Sequence, residues 1–165
     1  MIIMGIVVMM LFVAFTPSNA GTAVMTNPTP EDGFEAKIFH SWQGDYPVAQ
    51  LNRLPEKQRE LPVAFIDNGR TFENVWKAFK PGEPVPKIDF GVNLVLFARN
   101  THFYNTIRIA RVNVMDGVAK VLAMETRSAK PIEDKVGMSM VVVSRKGLKS
   151  IRTGEGTVPI SGFRP

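Results

Sequence analysis

Residues 107–126 read Ile107-Arg-Ile-Ala-Arg-Val-Asn-Val-Met115, then Asp116-Gly117, then Val118-Ala-Lys-Val-Leu-Ala-Met-Glu-Thr126. Two apolar, β-branched runs flank Asp-Gly, the dipeptide that suits a two-residue type I′ turn because both positions take positive φ. The stretch is a hairpin, with strands expected over 104–115 and 118–126. A turn of this length also fixes register. It sets Met115 opposite Val118, Val114 opposite Ala119, Val112 opposite Val121, Ala110 opposite Ala123 and Arg108 opposite Glu125. The last would be an opposite-charge cross-strand pair worth about 0.2–1 kcal/mol. On the other face Ile109 meets Met124 and Ile107 meets Thr126. Apolar content therefore changes face along the hairpin. A bulge near Ala110-Arg111, or a strand passing between two layers, accounts for the change.

Upstream, Val92 to Ala98 is apolar at nearly every position, the pattern of a strand buried on both faces. Val85-Pro-Lys-Ile-Asp-Phe90 leads into it. Before that, Phe72, Val75, Trp76 and Phe79 fall on one helical face, so a helix is expected over about 71–80, with Thr71 as cap and Pro81-Gly82 as stop. Pro62 to Asp67 is a short strand closed by a turn at Asn68-Gly69. From Phe34 to Glu60, Phe39, Trp42, Tyr46, Val48 and Leu51 supply apolar anchors without a clean period, and 54–60 is a charged loop. Downstream, Arg127 to Gly137 is a polar loop and Met138 to Val143 a strand. Leu148 to Ile151 is a further extension of the sheet, and Thr153-Gly-Glu-Gly is loop. The expected class is α+β: a mainly antiparallel sheet of at least five strands with one short helix, in a single β-rich domain over 37–165.

The first residues carry a different message. Ile2 to Phe15 holds no charge, and Thr16-Pro-Ser-Asn-Ala20 supplies a helix breaker followed by small residues. An apolar run of about 14 residues covers roughly 21 Å, short of the roughly 30 Å hydrocarbon core of a bilayer. Residues 1–20 therefore read as a secretory signal peptide cleaved near Ala20, giving a periplasmic or secreted protein. A basic residue before the apolar run is missing, which leaves an uncleaved membrane tether as an alternative. Residues 21–36, with Pro28, Pro30 and Gly33, read as a flexible leader. The sequence has no Cys, so disulfides, thiolate metal sites and a cysteine nucleophile are all excluded. The net charge of +5 lies wholly beyond residue 20, favouring anionic neighbours. Export makes nucleic acid an improbable one.

Catalytic patterns are sparse. His40 and His102 are the only histidines, and two His with a carboxylate such as Asp45 would be a thin zinc set. No nucleophile elbow, Ser-x-x-Lys pair or phosphate-cradling Gly motif occurs. The acid pairs Glu31-Asp32 and Glu133-Asp134 lie in polar segments without aromatic neighbours in sequence. Met138 and Met140 share one face of a strand, where core filling is the ordinary use. No catalytic residue, metal ligand or cofactor is thus assigned. The binding candidates are Arg99, His102, Phe103 and Tyr104, in a loop between two strands. The basic run Arg145, Lys146, Lys149 and Arg152 is a second candidate. Packing of the aromatics over a sheet edge, and charges that deter edge pairing, are the plainer explanations.

The order of a helix around Phe72-Glu-Asn-Val-Trp76, then Val85-Pro-Lys-Ile-Asp-Phe90 entering an apolar strand, then hairpins, resembles the PrcB-like accessory proteins of bacterial protease complexes. The likeness covers about residues 62–145, and Asp89-Phe90 matches the Asp-Phe step that opens the strand after the helix in that family. The family's Thr-Gly-Gly-Tyr-like turn is absent. Asn100-Thr-His-Phe-Tyr-Asn-Thr106 stands there, with Tyr104 the one counterpart. The resemblance implies an exported, non-catalytic module that binds or stabilises another envelope protein. The expected partner is an envelope protein or an anionic envelope surface. A small periplasmic hydrolase or carbohydrate-active enzyme built on dispersed acids, with Asp45, Glu133 or Asp134 in a cleft beside Trp42, is the alternative of a different class.

Overall fold

The structure, a computed structural model, describes residues 33–154 and 156–160; the expected signal and most of the expected leader lie outside them. The elements run β1 (Gly33–Glu35), β2 (Ile38–Pro47), β3 (Val63–Ile66), α1 (Gly69–Phe79), β4 (Asn93–Arg99), β5 (Ile107–Met115), β6 (Val118–Glu125), β7 (Lys135–Ser144), β8 (Ser150–Arg152) and β9 (Thr157–Pro159). Two short 3-10 segments, Val48–Arg53 and Glu56–Gln58, link β2 to β3. The class is α+β with one short helix, but the strands divide into two sheets. One has order β1-β5-β6-β8-β9, the other β2-β7-β4-β3.

Three layers result. The four-stranded sheet is the middle one, and the period of two along its strands feeds both neighbours. Leu94, Leu96, Val141 and Val143 pack against the five-stranded sheet through Ile109, Val112, Val114 and Ile151. Val95, Phe97, Met138, Met140 and Val142 pack on the other side with Phe72, Val75, Trp76 and Phe79 of α1. This is why β4 reads as a nearly unbroken apolar run, and why β7 is buried from Val136 to Val143, with Ser139 its one polar side chain there. The Met138–Met140 pair lies under the helix.

α1 starts two residues before Thr71. Asn68 is its cap: the backbone there is extended, and Asn68 Oδ1 accepts the Thr71 N–H at 2.9 Å. Asn reaches the third helical N–H well, so Thr71 becomes the residue that is capped. Beyond Phe79 the Lys80 N–H closes on the Trp76 carbonyl at 2.7 Å, and Gly82 takes φ +85°. The segment Val85–Phe90 then crosses the helix layer as an extended strap outside either sheet.

The hairpin turn has φ +54° at Asp116 and +83° at Gly117, both positive as its chemistry demands. From Met115↔Val118 to Arg111↔Leu122 the register is the one the turn dictates. A bulge at Ala110 then shifts it by one, giving Ile109↔Ala123, Arg108↔Met124 and Ile107↔Glu125. The expected Arg108–Glu125 pair is therefore absent. Glu125 instead accepts the Asn100 side-chain N–H at 2.8 Å. The bulge keeps Ile107 and Ile109 in the core, where an unbroken strand would have turned them to water.

The stretch from Phe34 to Glu60 holds more order than its pattern suggests. Gly33–Glu35, inside the expected leader, pairs with β5. β2 pairs with β7 along nearly its full length. Its alternation is masked by a register break between Ile38 and His40, and by Gly44, above which Phe79 and Lys80 lie. The loop expected at Thr153-Gly-Glu-Gly is the turn joining β8 to β9, closed by Thr153 N–H to the Gly156 carbonyl at 2.7 Å. β8 itself runs parallel to β6.

Candidate binding surface

Outward residues of the five-stranded sheet follow from the register. With Ile107, Ile109, Val112 and Val114 turned in, β5 presents Arg108, Arg111, Asn113 and Met115 outward. On β6 the outward set is Lys120, Leu122 and Met124, with Arg111 opposite Leu122 and Arg108 opposite Met124. β8 turns Ile151 in and leaves Arg152 out, in register with Lys120. A face of three adjacent strands thus carries four cations among three exposed apolar side chains: Met115 (45 % exposed), Leu122 (46 %) and Met124 (64 %).

The electrostatics of this face are one-sided. Among the described residues none of Arg108, Arg111, Lys120 and Arg152 forms an ion pair, in contrast to Lys77 with Glu73 and Lys135 with Asp45. Lys120 and Arg152 stand directly opposite one another, and like charges so placed on neighbouring strands repel. Glu35, in register with Asn113, is the carboxylate at the β1 side. Nothing in the hydrophobic core requires this arrangement.

Both candidate regions border this sheet. In the basic run, the Arg145 guanidinium donates to the Phe90 carbonyl at 2.9 Å, tying the strap to the end of β7. Lys146 is exposed, Leu148 is buried, and the Lys149 N–H bonds the Gly117 carbonyl at 2.7 Å. The Lys149 stem lies against Gly117, where a Cβ would collide with it. Arg152 alone of the four faces outward from the sheet beside Lys120. The run is thus a clip around the hairpin turn, with one member on the open face.

In the loop, Asn100 Oδ1 accepts the N–H groups of His102 and Phe103, each at 2.8 Å. This tight turn leaves His102 exposed and Phe103 46 % exposed. Arg99 is taken away from that surface. It is 4 % exposed, its guanidinium donates to the Arg59 carbonyl, and burial lowers its pKa against the opposing pull of Glu60. Tyr104 turns to β2, its hydroxyl donating to Asp45 Oδ1 at 2.9 Å. Lys135 Nζ reaches Asp45 Oδ2 at 2.8 Å and sits 5.6 Å from the Tyr104 ring centroid. Partial burial alone would raise the Asp45 pKa. The hydrogen bonds from Lys135 and Tyr104, with the charges of Lys135 and Lys80, outweigh it and hold the carboxyl below its usual range. The same contact with Asp45 raises the pKa of both Tyr104 and Lys135.

Tyr104, Lys135, Glu133 and Asp134 line an open depression of about 380 Å³. Lys135 and Tyr104 favour the charged form of Asp45, and the contact with Asp45 favours the protonated form of Tyr104. Trp42 has the strand parity of Tyr46 and packs under α1, while Asp45 has the opposite parity. The cleft that would gather Asp45 with the loop acids beside Trp42 is therefore not formed. His40 stacks on Trp42 with ring centroids 5.7 Å apart, on β2 and far along the strand from Asp45.

Arg108, Arg111 and Lys120 escape a search for dense charge runs because alternate positions of two strands bring them together. The hairpin register and its bulge were the signal that could have found them. Comparison with family models, with curated proteins and with solved structures found no match.

Proposed function

We propose that this chain is an exported, non-enzymatic binding domain that docks another envelope protein through the open face of its five-stranded sheet. The observation that carries the proposal is the face itself: Arg108, Arg111, Lys120 and Arg152, without an ion-pair partner among the described residues, around Leu122 and Met124. Arg and Met are the residue types enriched at protein interfaces, and Arg pairs bidentately with carboxylates. Three of the four cations are Arg and two of the three apolar side chains are Met. That composition favours an acidic protein surface with an apolar centre over a lipid headgroup layer, for which Trp and Tyr anchors are the usual accompaniment. Export by the N-terminal segment and kinship with PrcB-like accessory proteins belong to the same proposal. The sequence order of helix, strap, buried strand and hairpin supports the kinship. The commitment of Asp45 to Lys135 and Tyr104 weighs against the hydrolase alternative.

The test is capture from an envelope fraction by the parent chain and by the double variant Arg108→Glu/Arg111→Glu, at low and high salt. Both sites are exposed, so the variant should melt with the parent. The expected result is one partner held by the parent, weakened by salt and lost with the variant. A partner held equally by both would overturn the role of this face. Sedimentation of the parent with phosphatidylglycerol vesicles, again abolished by the double variant, would replace the protein partner by a lipid surface.

A further inference from the structure

The long free edge of the four-stranded sheet is a dimer interface in waiting: we infer that β2 pairs with β2 of a second copy, antiparallel about a two-fold axis through Gln43. The reasoning starts from which backbone groups β2 leaves open. The Val48 N–H bonds the Asp134 carbonyl at 2.9 Å, and the register from His40↔Val142 to Pro47↔Lys135 is uniform. Hydrogen-bonded pairs alternate in an antiparallel ladder, so the even-numbered residues of β2 face β7. The β7 side agrees, since Arg145 N–H bonds the Val92 carbonyl, which assigns the odd residues of that strand to β4. The N–H and C=O groups of Ser41, Gln43 and Asp45 therefore point away from the sheet, and all three residues are exposed. No backbone partner meets them among the described residues.

Edges are ordinarily protected by shortness, by Lys, by Pro or by a bulge that bends them away. The other three edges obey: β1 and β9 have three residues each and β3 has four. β2 has ten, carries no Lys or Arg, keeps Pro to its last position, and has its bulge at the opposite end. Its single charge, Asp45, is already neutralised by Lys135.

The occupant follows from self-complementarity. An axis at Gln43 pairs that residue with its own mate and Ser41 with Asp45 of the other copy, so every open N–H finds a carbonyl. It sets Trp42 opposite Gly44, where Phe79 and Lys80 of the second copy stand over the strand. Phe39 falls opposite Pro47, whose carbonyl accepts the Phe39 N–H; Pro47 has no N–H to donate, so the Phe39 carbonyl is left to water. No like-charge pair arises. The two middle sheets then join into one continuous sheet across an isologous interface. This inference does not depend on the open face of the other sheet.

The cysteine-free sequence makes the test direct. Opposed residues in a hydrogen-bonded pair have Cα atoms about 5.5 Å apart, within disulfide reach. Under mild oxidation the full-length Gln43→Cys chain should become a covalent dimer nearly completely, while Ser41→Cys and Phe39→Cys chains should stay largely monomeric on non-reducing gels. Sedimentation should show the parent as a dimer and Gln43→Pro, which removes the central N–H, as a monomer with an unchanged far-UV spectrum. A monomeric parent with no cross-link at Gln43 would overturn the inference and leave the edge to a foreign strand. Equal cross-linking at all three sites would overturn the register.

Discussion

The two sheets treat their strands in opposite ways. In the four-stranded sheet, β4 and β7 are enclosed by α1 on one side and by the second sheet on the other. In the five-stranded sheet, β5 and β6 have one enclosed face and one that meets solvent with Arg, Lys, Leu and Met. A strand wrapped on both faces has its composition set by packing at every position. A strand wrapped on one face is free at alternate positions, and what stands there reports on something other than stability. The open face of β5, β6 and β8 uses that freedom for four cations that form no ion pair among the described residues, with Glu35 as the carboxylate on the β1 side.

The contrast has measurable consequences. Phe97→Ala, in the enclosed sheet, should lower unfolding free energy by about 3–5 kcal/mol in urea titrations. Leu122→Ala, on the open face, should change it by no more than about 0.5 kcal/mol. Similar losses at both sites would mean that the open face is covered in solution. Next in size is the seam between the sheets. Ser139, fully buried on β7, accepts the Ile109 N–H at 3.1 Å. Ser139→Ala leaves that N–H without a partner and should cost about 1–3 kcal/mol, mainly as faster amide exchange along β5.

Smaller than the loss at Phe97 is the effect at Tyr46, buried beneath the helix layer, with its hydroxyl donating to the Gln50 carbonyl at 3.0 Å. Burial pushes its pKa up to about 12, against a weaker opposing pull from Arg53. An unfolded tyrosine ionises near 10, so between about pH 10 and 12 the native state holds a proton that the unfolded state has released. Its contribution is therefore complete below about pH 10 and lost as pH rises through about 12. Tyr46→Phe should cost about 1 kcal/mol at pH 7 and flatten the alkaline decline of stability, read by denaturant titration at several pH values.

The enclosed sheet was also the easier one to read. A continuous apolar run marked β4 and a single apolar stripe marked α1, because each buried position has to be filled; β7 was legible from Met138 to Val143, while its start at Lys135–Gly137 read as polar loop. The Asp-Gly turn gave the hairpin and its register as far as Arg111. Beyond that point the Ala110 bulge changed the partner of Arg108, and with it one expected ion pair. β2 escaped because Gly44 and the break at Phe39 interrupt its alternation, although its rung-by-rung partner is the plainest strand in the chain. The division into two sheets left no local trace: it depends on where β5 crosses β7, and long-range placement is not encoded in a window of neighbours. The binding candidates divided similarly. His102 and Phe103 are exposed as a loop should leave them, while Arg99 is drawn under the sheet end by the Arg59 carbonyl. Arg108, Arg111 and Lys120 became a group only once the outward parity of two strands was known.

The pairing of β2 with β7 bears on how the chain comes into being. Val141 is a hundred positions downstream of Ser41, its partner across the ladder. A polypeptide leaving a ribosome or a translocation pore from its amino end presents β2 about a hundred residues before β7. Until that late segment arrives, Trp42 and Tyr46 wait beside two unpaired strand edges, while the hairpin at Asp116-Gly117 closes from local contacts alone. Maturation is therefore gated by the emergence of residues 135–144, and the interval before it is when a holding chaperone has most to bind.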